Sequence, residues 1–188
     1  IECTAMSMTH LGEQIDIHGG GRDLVYPHHE NEIAQAESST GIEPFCGWWM
    51  HNGMLRLDGV KMSKSLGNLV LVRDLLGRFE ADHLRLFLLS EHYRADADYR
   101  QGTLDALAPR FERFQRVAGP RPGDGGAPAL RAVVLEALDD DFDVPRAFDI
   151  LDEAATRVLN GVAEPGEAEE VRGFLAVLGF AFAGARGP

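Results

Sequence analysis

The chain has 188 residues, 45% of them hydrophobic and 26% charged, which is the profile of a globular protein and not a disordered one. Lys and Arg total 18 against 30 Asp and Glu, a formal net charge of −12, so broad charge-driven binding to nucleic acid or acidic membrane is excluded and any polyanion must be met by a local basic site. No apolar run is long enough for a bilayer, no leader-like segment opens the chain, and two cysteines do not make a disulfide framework; a cytoplasmic, reducing setting without membrane contact is expected.

The chain starts at Ile1, which reads as an excerpt of something longer. The first stretch is predicted as the end of a strand, a short helix over 4–11 and a strand over 14–18, closing on Gly19, Gly20 and Gly21 as a loop that lets backbone approach a ligand. Pro27 suits the first position of a helix over 28–38, which should stop before Gly41. Strands are expected over 48–51 and 54–57, with Asp58-Gly59 as a turn. Helices follow over 72–79, over 81–90 with apolar residues at 84, 87 and 88, and over 101–117, where Pro109 should kink or divide the helix. The Gly- and Pro-rich segment 119–128 reads as a linker, and three helices are expected beyond it, over 129–139, 144–160 and 167–180.

Three groups of residues carry chemistry. His28 and Glu32 stand at i and i+4, one face of a helix, where an imidazole and a carboxylate can reach one cation or form a plain surface pair. Cys3, by itself a small buried hydrophobe, would add sulfur to that nitrogen and oxygen and complete a donor set that zinc accepts; Cys46, next to Trp48 and Trp49, reads as core. The two lysines of the chain, Lys61 and Lys64, lie three positions apart in Lys61-Met62-Ser63-Lys64-Ser65, which by composition is either a solvated loop or a place where mobile ammonium charges can follow a triphosphate through phosphoryl chemistry. Arg110, Arg113 and Arg116 share one helix side and read as a solvated face or a local RNA contact.

The string Lys61–Ser65 resembles the KMSKS signature of class I aminoacyl-tRNA synthetases. Asp16-Ile17-His18-Gly19-Gly20-Gly21-Arg22-Asp23 and Pro27-His28-His29-Glu30-Asn31-Glu32-Ile33-Ala34-Gln35 are similar to the cysteinyl-tRNA synthetase family in particular, as are Ile1-Glu2-Cys3, Trp49-Met50-His51-Asn52-Gly53 and Asp139-Asp140-Asp141-Phe142-Asp143. The likeness covers about residues 1–160. It implies an α/β fold: the second half of a Rossmann-like class I catalytic domain over 1–70, with the zinc site and KMSKS loop, then a helical connector over 71–118, the linker over 119–128, and a small all-α, tRNA-binding-type bundle over 129–188.

The resemblance also implies roles. Zinc would be held by Cys3, His28 and Glu32 with a fourth ligand from an upstream half; His18 and Asp23 would line the cysteine pocket; Gly19, Gly20 and Gly21 would approach the adenosine; Lys64, with Lys61 beside it, would bind ATP. Implied partners are cysteine, ATP with Mg²⁺ and tRNA(Cys), and a monomer is expected. Two features of the family pattern lack a counterpart in these residues, the HIGH signature and the anticodon-reading part, so the 188 residues alone are expected not to charge tRNA. Two other readings stay open at this stage: a mycothiol-pathway ligase joining cysteine to glucosaminyl-inositol, and a non-catalytic, zinc-stapled interaction module.

Overall fold

The computed structural model describes residues 1–118 and 126–182, so most of the expected linker, 119–125, lies outside the described residues. The chain divides into two compact units, one formed by Ile1–Arg56 and Tyr93–Ala97, the other by Leu57–His92 with Asp98 onward.

The first unit begins with helix α1 (Glu2–Leu11), strand β1 (Ile15–Gly21), a turn of 3₁₀ helix (Arg22–Leu24) and a π turn (Val25–His29). Helix α2 (Glu30–Thr40) and strand β2 (Cys46–Asn52) complete it, and β1 pairs with β2 in parallel, in the register Ile15↔Cys46 to Gly21↔Asn52. A parallel pair needs a crossover, and α2 supplies it, so β1–α2–β2 is one βαβ unit. Its small core is Ile15, Ala36, Phe45 and Cys46, with Met8, Ile33 and Trp49 packed against it.

Three expectations are corrected here. Residues 2 and 3 are helix and not the end of a strand: α1 starts at Glu2, whose carboxylate in the first turn suits the positive end of the helix dipole, and Cys3 lies in that turn. The three glycines are strand and not loop, because the ladder holds each opposite Met50, His51 and Asn52. Helix α2 begins at Glu30, not at Pro27, because Tyr26 takes the extended conformation (φ −135°, ψ 134°) that a residue before proline favours, and the chain recovers through the π turn.

The segment Tyr93–Ala97 joins this unit through Asp96. Its carboxylate accepts from Met54 N at 2.8 Å, from Arg22 Nη2 at 2.8 Å and from Arg56 Nε at 2.8 Å.

Strand β3 (Leu55–Leu57) turns into β4 (Val60–Lys61) through Asp58 (φ 51°) and Gly59 (φ 80°), the two left-handed residues that a tight hairpin requires; the sheet order is β4–β3–β5, with β5 at Ala97–Tyr99. The helices are α3 (Val72–Leu75), α4 (Ala81–Leu89), α5 (Thr103–Val117), α6 (Pro128–Asp139), α7 (Val144–Leu159) and α8 (Glu167–Val177). The helix expected over 72–79 is shorter, with Gly77 just beyond its end. In α4 the buried apolar residues are Leu84, Leu86 and Phe87, while Leu88 is exposed. Leu86, Phe111, Phe114 and Val117 share one continuous core with Val134, Phe148, Leu151 and Val171 from the later helices. Among the described residues, no helix is long and apolar enough to cross a membrane.

Pro109 does not divide α5. Leu104, Phe111, Phe114 and Val117 are all buried along one face, and burial of four such side chains at roughly 1.5–3 kcal/mol each outweighs the ~3 kcal/mol cost of an interior proline. Pro109 itself is exposed, so the carbonyl it leaves unpaired can be met by water. P109A is therefore expected to raise stability by about 1–2 kcal/mol, read as a shift of the urea midpoint at constant slope.

Of the three arginines of α5, two are paired internally and Arg116 is exposed. Arg110 pairs with Asp149 (2.6 Å) and Asp152 (3.3 Å), and Arg113 makes two bonds of 2.6 Å to Asp152, which holds its guanidinium above its usual range. These pairs tie α5 to α7 and spend the positive charge internally.

Two carboxylates give the fold an acid limit. Asp96 is held below its ordinary range, first by the Met54 N–H and then by Arg56, and Glu167 is held below its range first by the Arg157 guanidinium, whose Nη2 lies 2.6 Å from Oε1. A carboxylate with a depressed folded-state pKa contributes stability that is fully present above its unfolded pKa and lost as pH falls through the folded value. The urea midpoint is expected to be flat near neutrality and to fall as the pH drops through and below the ordinary carboxylate range. D96N and E167Q should each flatten part of that fall.

Candidate functional site

The site is built on the carboxyl end of β1 and on the junction of the π turn with α2. Glu32, in the first turn of α2, is 2% exposed, yet neither of its carboxylate oxygens has a hydrogen-bond partner. His18 Nε2 comes within 2.8 Å of Oε2 and His28 Nε2 within 3.5 Å of Oε1, ion-pair distances without a hydrogen bond to either oxygen. A buried carboxylate without donors costs several kcal/mol unless a cation balances it, roughly the penalty for any buried unpaired charge. The arrangement is thus charged for a cation and short of hydrogen-bond donors.

Cys3, His28 and Glu32 each offer a donor atom, and the three atoms lie within 4.8 Å of one another. The π turn keeps His28 one helical turn before Glu32, while the first turn of α1 brings Cys3 in from a separate element. A set of one thiol, one imidazole and one carboxylate suits a borderline-soft ion such as zinc, and an ordinary hydrogen-bonded cluster would not leave Glu32 orphaned. The residues present therefore fit such an ion.

Behind this set lies a stack of rings. His18 stands edge-on to Trp49 and to His29, each at 4.9 Å between centroids, and His29 lies 4.9 Å from His51 with Nδ1 2.7 Å from its Nε2. Burial, then the His18 and His51 rings, push the His29 imidazole below its ordinary pKa. Sequence reasoning left out His29, Trp49 and His51. The alternation of Trp49 and His51 along β2 puts both on one face of the strand, a signal that was there to be read.

The glycines explain how the rings come so close. A Cβ on Gly20 would meet the His29 ring at 2.7 Å, and one on Gly21 would meet Asp23 Oδ1 at 2.6 Å. Their role is the absence of a side chain, not backbone flexibility, for none of the three adopts a positive φ. Gly19 has room for a Cβ, with only Met50 O at 3.8 Å. Asp23, in the 3₁₀ turn, is exposed beside Gly21.

The loop with the lysines belongs to the second unit and is closed by its own polar groups. Asn68 accepts from Ser63 N at 3.0 Å and donates to Lys61 O at 3.2 Å; Ser63 Oγ accepts from Leu66 N at 3.3 Å and lies 3.2 Å from Ser65 Oγ. Lys61, at the end of β4, and Lys64 are both exposed.

Residues 1–108 match the family model described as "tRNA synthetases class I (C) catalytic domain". A Cysteine--tRNA ligase of Dehalococcoides mccartyi is 46% identical over 154 residues, covering 79% of this chain and 34% of the relative. A Cysteine--tRNA ligase of Anaeromyxobacter sp. (strain K) is 44% identical over 174 residues, covering 87% and 36% respectively. The chain thus spans about a third of the length of these curated relatives. Among solved structures, the ternary LeuRS–tRNA–LeuAMS complex of Agrobacterium radiobacter K84 agnB2 shares the fold at a TM-score of 0.64 and 20% identity, over 87% of this chain and 25% of that one. The expected fold class, part of an α/β class I catalytic domain followed by helices, agrees with that likeness. By its βαβ unit, its KMSKS-type loop and the match over residues 1–108, the chain belongs to the class I (C) tRNA synthetase family.

Proposed function

We propose that the protein to which these residues belong is a cysteine-tRNA ligase, which uses ATP to activate cysteine as the adenylate and passes the cysteinyl group to tRNA(Cys). The observation that carries the reading is the buried, orphaned carboxylate of Glu32 facing Cys3 and His28. Cysteine and serine differ by one atom, and packing separates such near-isosteres by only ~1–3 kcal/mol. A zinc ion held by Cys3, His28 and Glu32 would supply the missing selectivity, since it prefers thiolate to alcohol.

The chain's own residues do the rest. His18, braced edge-on by Trp49, presents a ring nitrogen at the pocket beside Glu32, and Asp23 offers a carboxylate for the substrate ammonium. Gly19, Gly20 and Gly21 lie on the side offered to the adenosine, where Gly19 leaves room while Gly20 and Gly21 let His29 and Asp23 pack close. Lys64 and Lys61 stabilise the negative charge that collects on pyrophosphate as the cysteine carboxylate attacks the α-phosphate, and Mg²⁺ accompanies the triphosphate. In domain terms, 1–70 is the second half of the catalytic domain, 71–118 a connector, 119–128 a linker and 129–188 a tRNA-contacting helical part, in a cytoplasmic, monomeric protein.

The test is cysteine-dependent ATP–pyrophosphate exchange by the whole protein carrying this sequence, with serine as competitor. K64A should lower kcat by at least about 100-fold, in line with removal of a charged transition-state contact. Exchange that runs equally well with serine, or that ignores cysteine, would overturn the reading.

A further inference from the structure

Glu32 has two orphaned oxygens, and each points at a different set of donors. Oε1 faces His28, which is grouped with Cys3, while Oε2 faces His18, 2.8 Å from its Nε2. His18, His29 and Glu32 form a second group whose donor atoms lie within 4.8 Å of one another, and His29 and Glu32 are both buried, at 3% and 2% exposure. One carboxylate thus serves two triads, one with sulfur and one with nitrogen and oxygen only.

We infer that His18, His29 and Glu32 form a second divalent-cation site, with the Glu32 carboxylate bridging it to the Cys3–His28 position. It rests on the proposed function only in taking the Cys3 position as the first site. The donors of the second site are two imidazoles and one carboxylate oxygen, which suits Zn²⁺, Co²⁺ or Ni²⁺ and is a poor match for Mg²⁺ or Ca²⁺. His51 stands behind it: the 2.7 Å contact to His29 Nδ1 orients the ring, as outer hydrogen bonds orient metal-bound histidines. The second ion shares the charge of Glu32 and is repelled by the first, so it should bind at least about tenfold more weakly. Because His18 lies at the pocket, that ion would stand where the substrate amino acid is proposed to sit, making excess metal a competitor of cysteine.

The test is equilibrium dialysis of the metal-free chain against rising Co²⁺, with the thiolate-to-cobalt absorption band read in parallel. Wild type should take up about two ions per chain in two classes, only the first of which raises the band, and H29F should keep the band but stop at about one ion. H18F serves as the second variant, and circular dichroism verifies that each is folded. Saturation of wild type at one ion that carries the thiolate band overturns the inference, as does a second class that survives in both H29F and H18F. C3S separates the two ideas: it should abolish the band and one ion while leaving the histidine-dependent ion. A wild type with no thiolate band but a histidine-dependent ion would sink the sulfur site, and with it the functional reading, while leaving the histidine site in place.

Discussion

E32Q is expected to change the stability of the protein in opposite directions depending on metal. In chelator, at about pH 8, the variant should be more stable than wild type by about 1–3 kcal/mol, because it removes a buried charge that no hydrogen bond satisfies. With zinc present the order should reverse. Wild type gains ~2.7 kcal/mol at a free zinc concentration one hundred times its Kd, and the variant, lacking one of three protein ligands, should lose more than the roughly 10–100-fold in affinity seen when only an outer partner of a ligand is removed. Urea unfolding of both proteins, with EDTA and with buffered zinc, reads all four values. A variant less stable than wild type in EDTA would mean that Glu32 is satisfied by a partner and is no cation ligand.

G53A is expected to be the most damaging single methyl group in the first unit. A Cβ at Gly53 would lie 1.9 Å from Ala95 O, 2.3 Å from Ala95 C and 2.8 Å from Asp96 N, all backbone atoms that cannot swing aside. To make room, the segment Tyr93–Ala97 must move, breaking the 2.8 Å bond from Gly53 N to Tyr93 O and loosening Asp96 from Met54 N, Arg22 and Arg56. The loss should exceed about 4 kcal/mol, at the upper end for overpacking because no side-chain rotamer can relieve it. Gly173 in α8 is the control: nothing lies within 4 Å of its Cβ position, so G173A should stabilise by about 0.5–1 kcal/mol through helix propensity alone. If G53A melts within a degree of wild type, the close approach of the two segments does not exist in solution.

These substitutions mark the border between local and distant information. Chain order was enough for the amphipathic helices, the Asp58-Gly59 turn, the i,i+4 pair of His28 and Glu32 and the lysine pair at 61 and 64, because each depends on neighbours within about one turn of chain. Cys46 as core was legible in the same way, from the apolar residues that follow it.

Other features were decided only when distant segments met. Gly19, Gly20 and Gly21 look like a loop in one dimension, and it is the ladder to Met50, His51 and Asn52 that makes them strand. Pro109 looks like a helix breaker, and it is the shared core of α5 with the later helices that overrides it. Arg110 and Arg113 look like a solvated face or an RNA contact until Asp149 and Asp152 arrive from α7 to pair with them. Glu32 is the sharpest instance: nothing in the residues around it foretells burial, or that both its oxygens lack partners, because hydrogen-bond satisfaction depends on what the rest of the fold brings near. By itself the sequence determined which thiol, imidazole and carboxylate groups were available and where they lay along the chain. Which of them come within reach of one another, and which are consumed in holding the fold together, the tertiary structure alone decided, since desolvation and charge pairing act through space and not along the backbone.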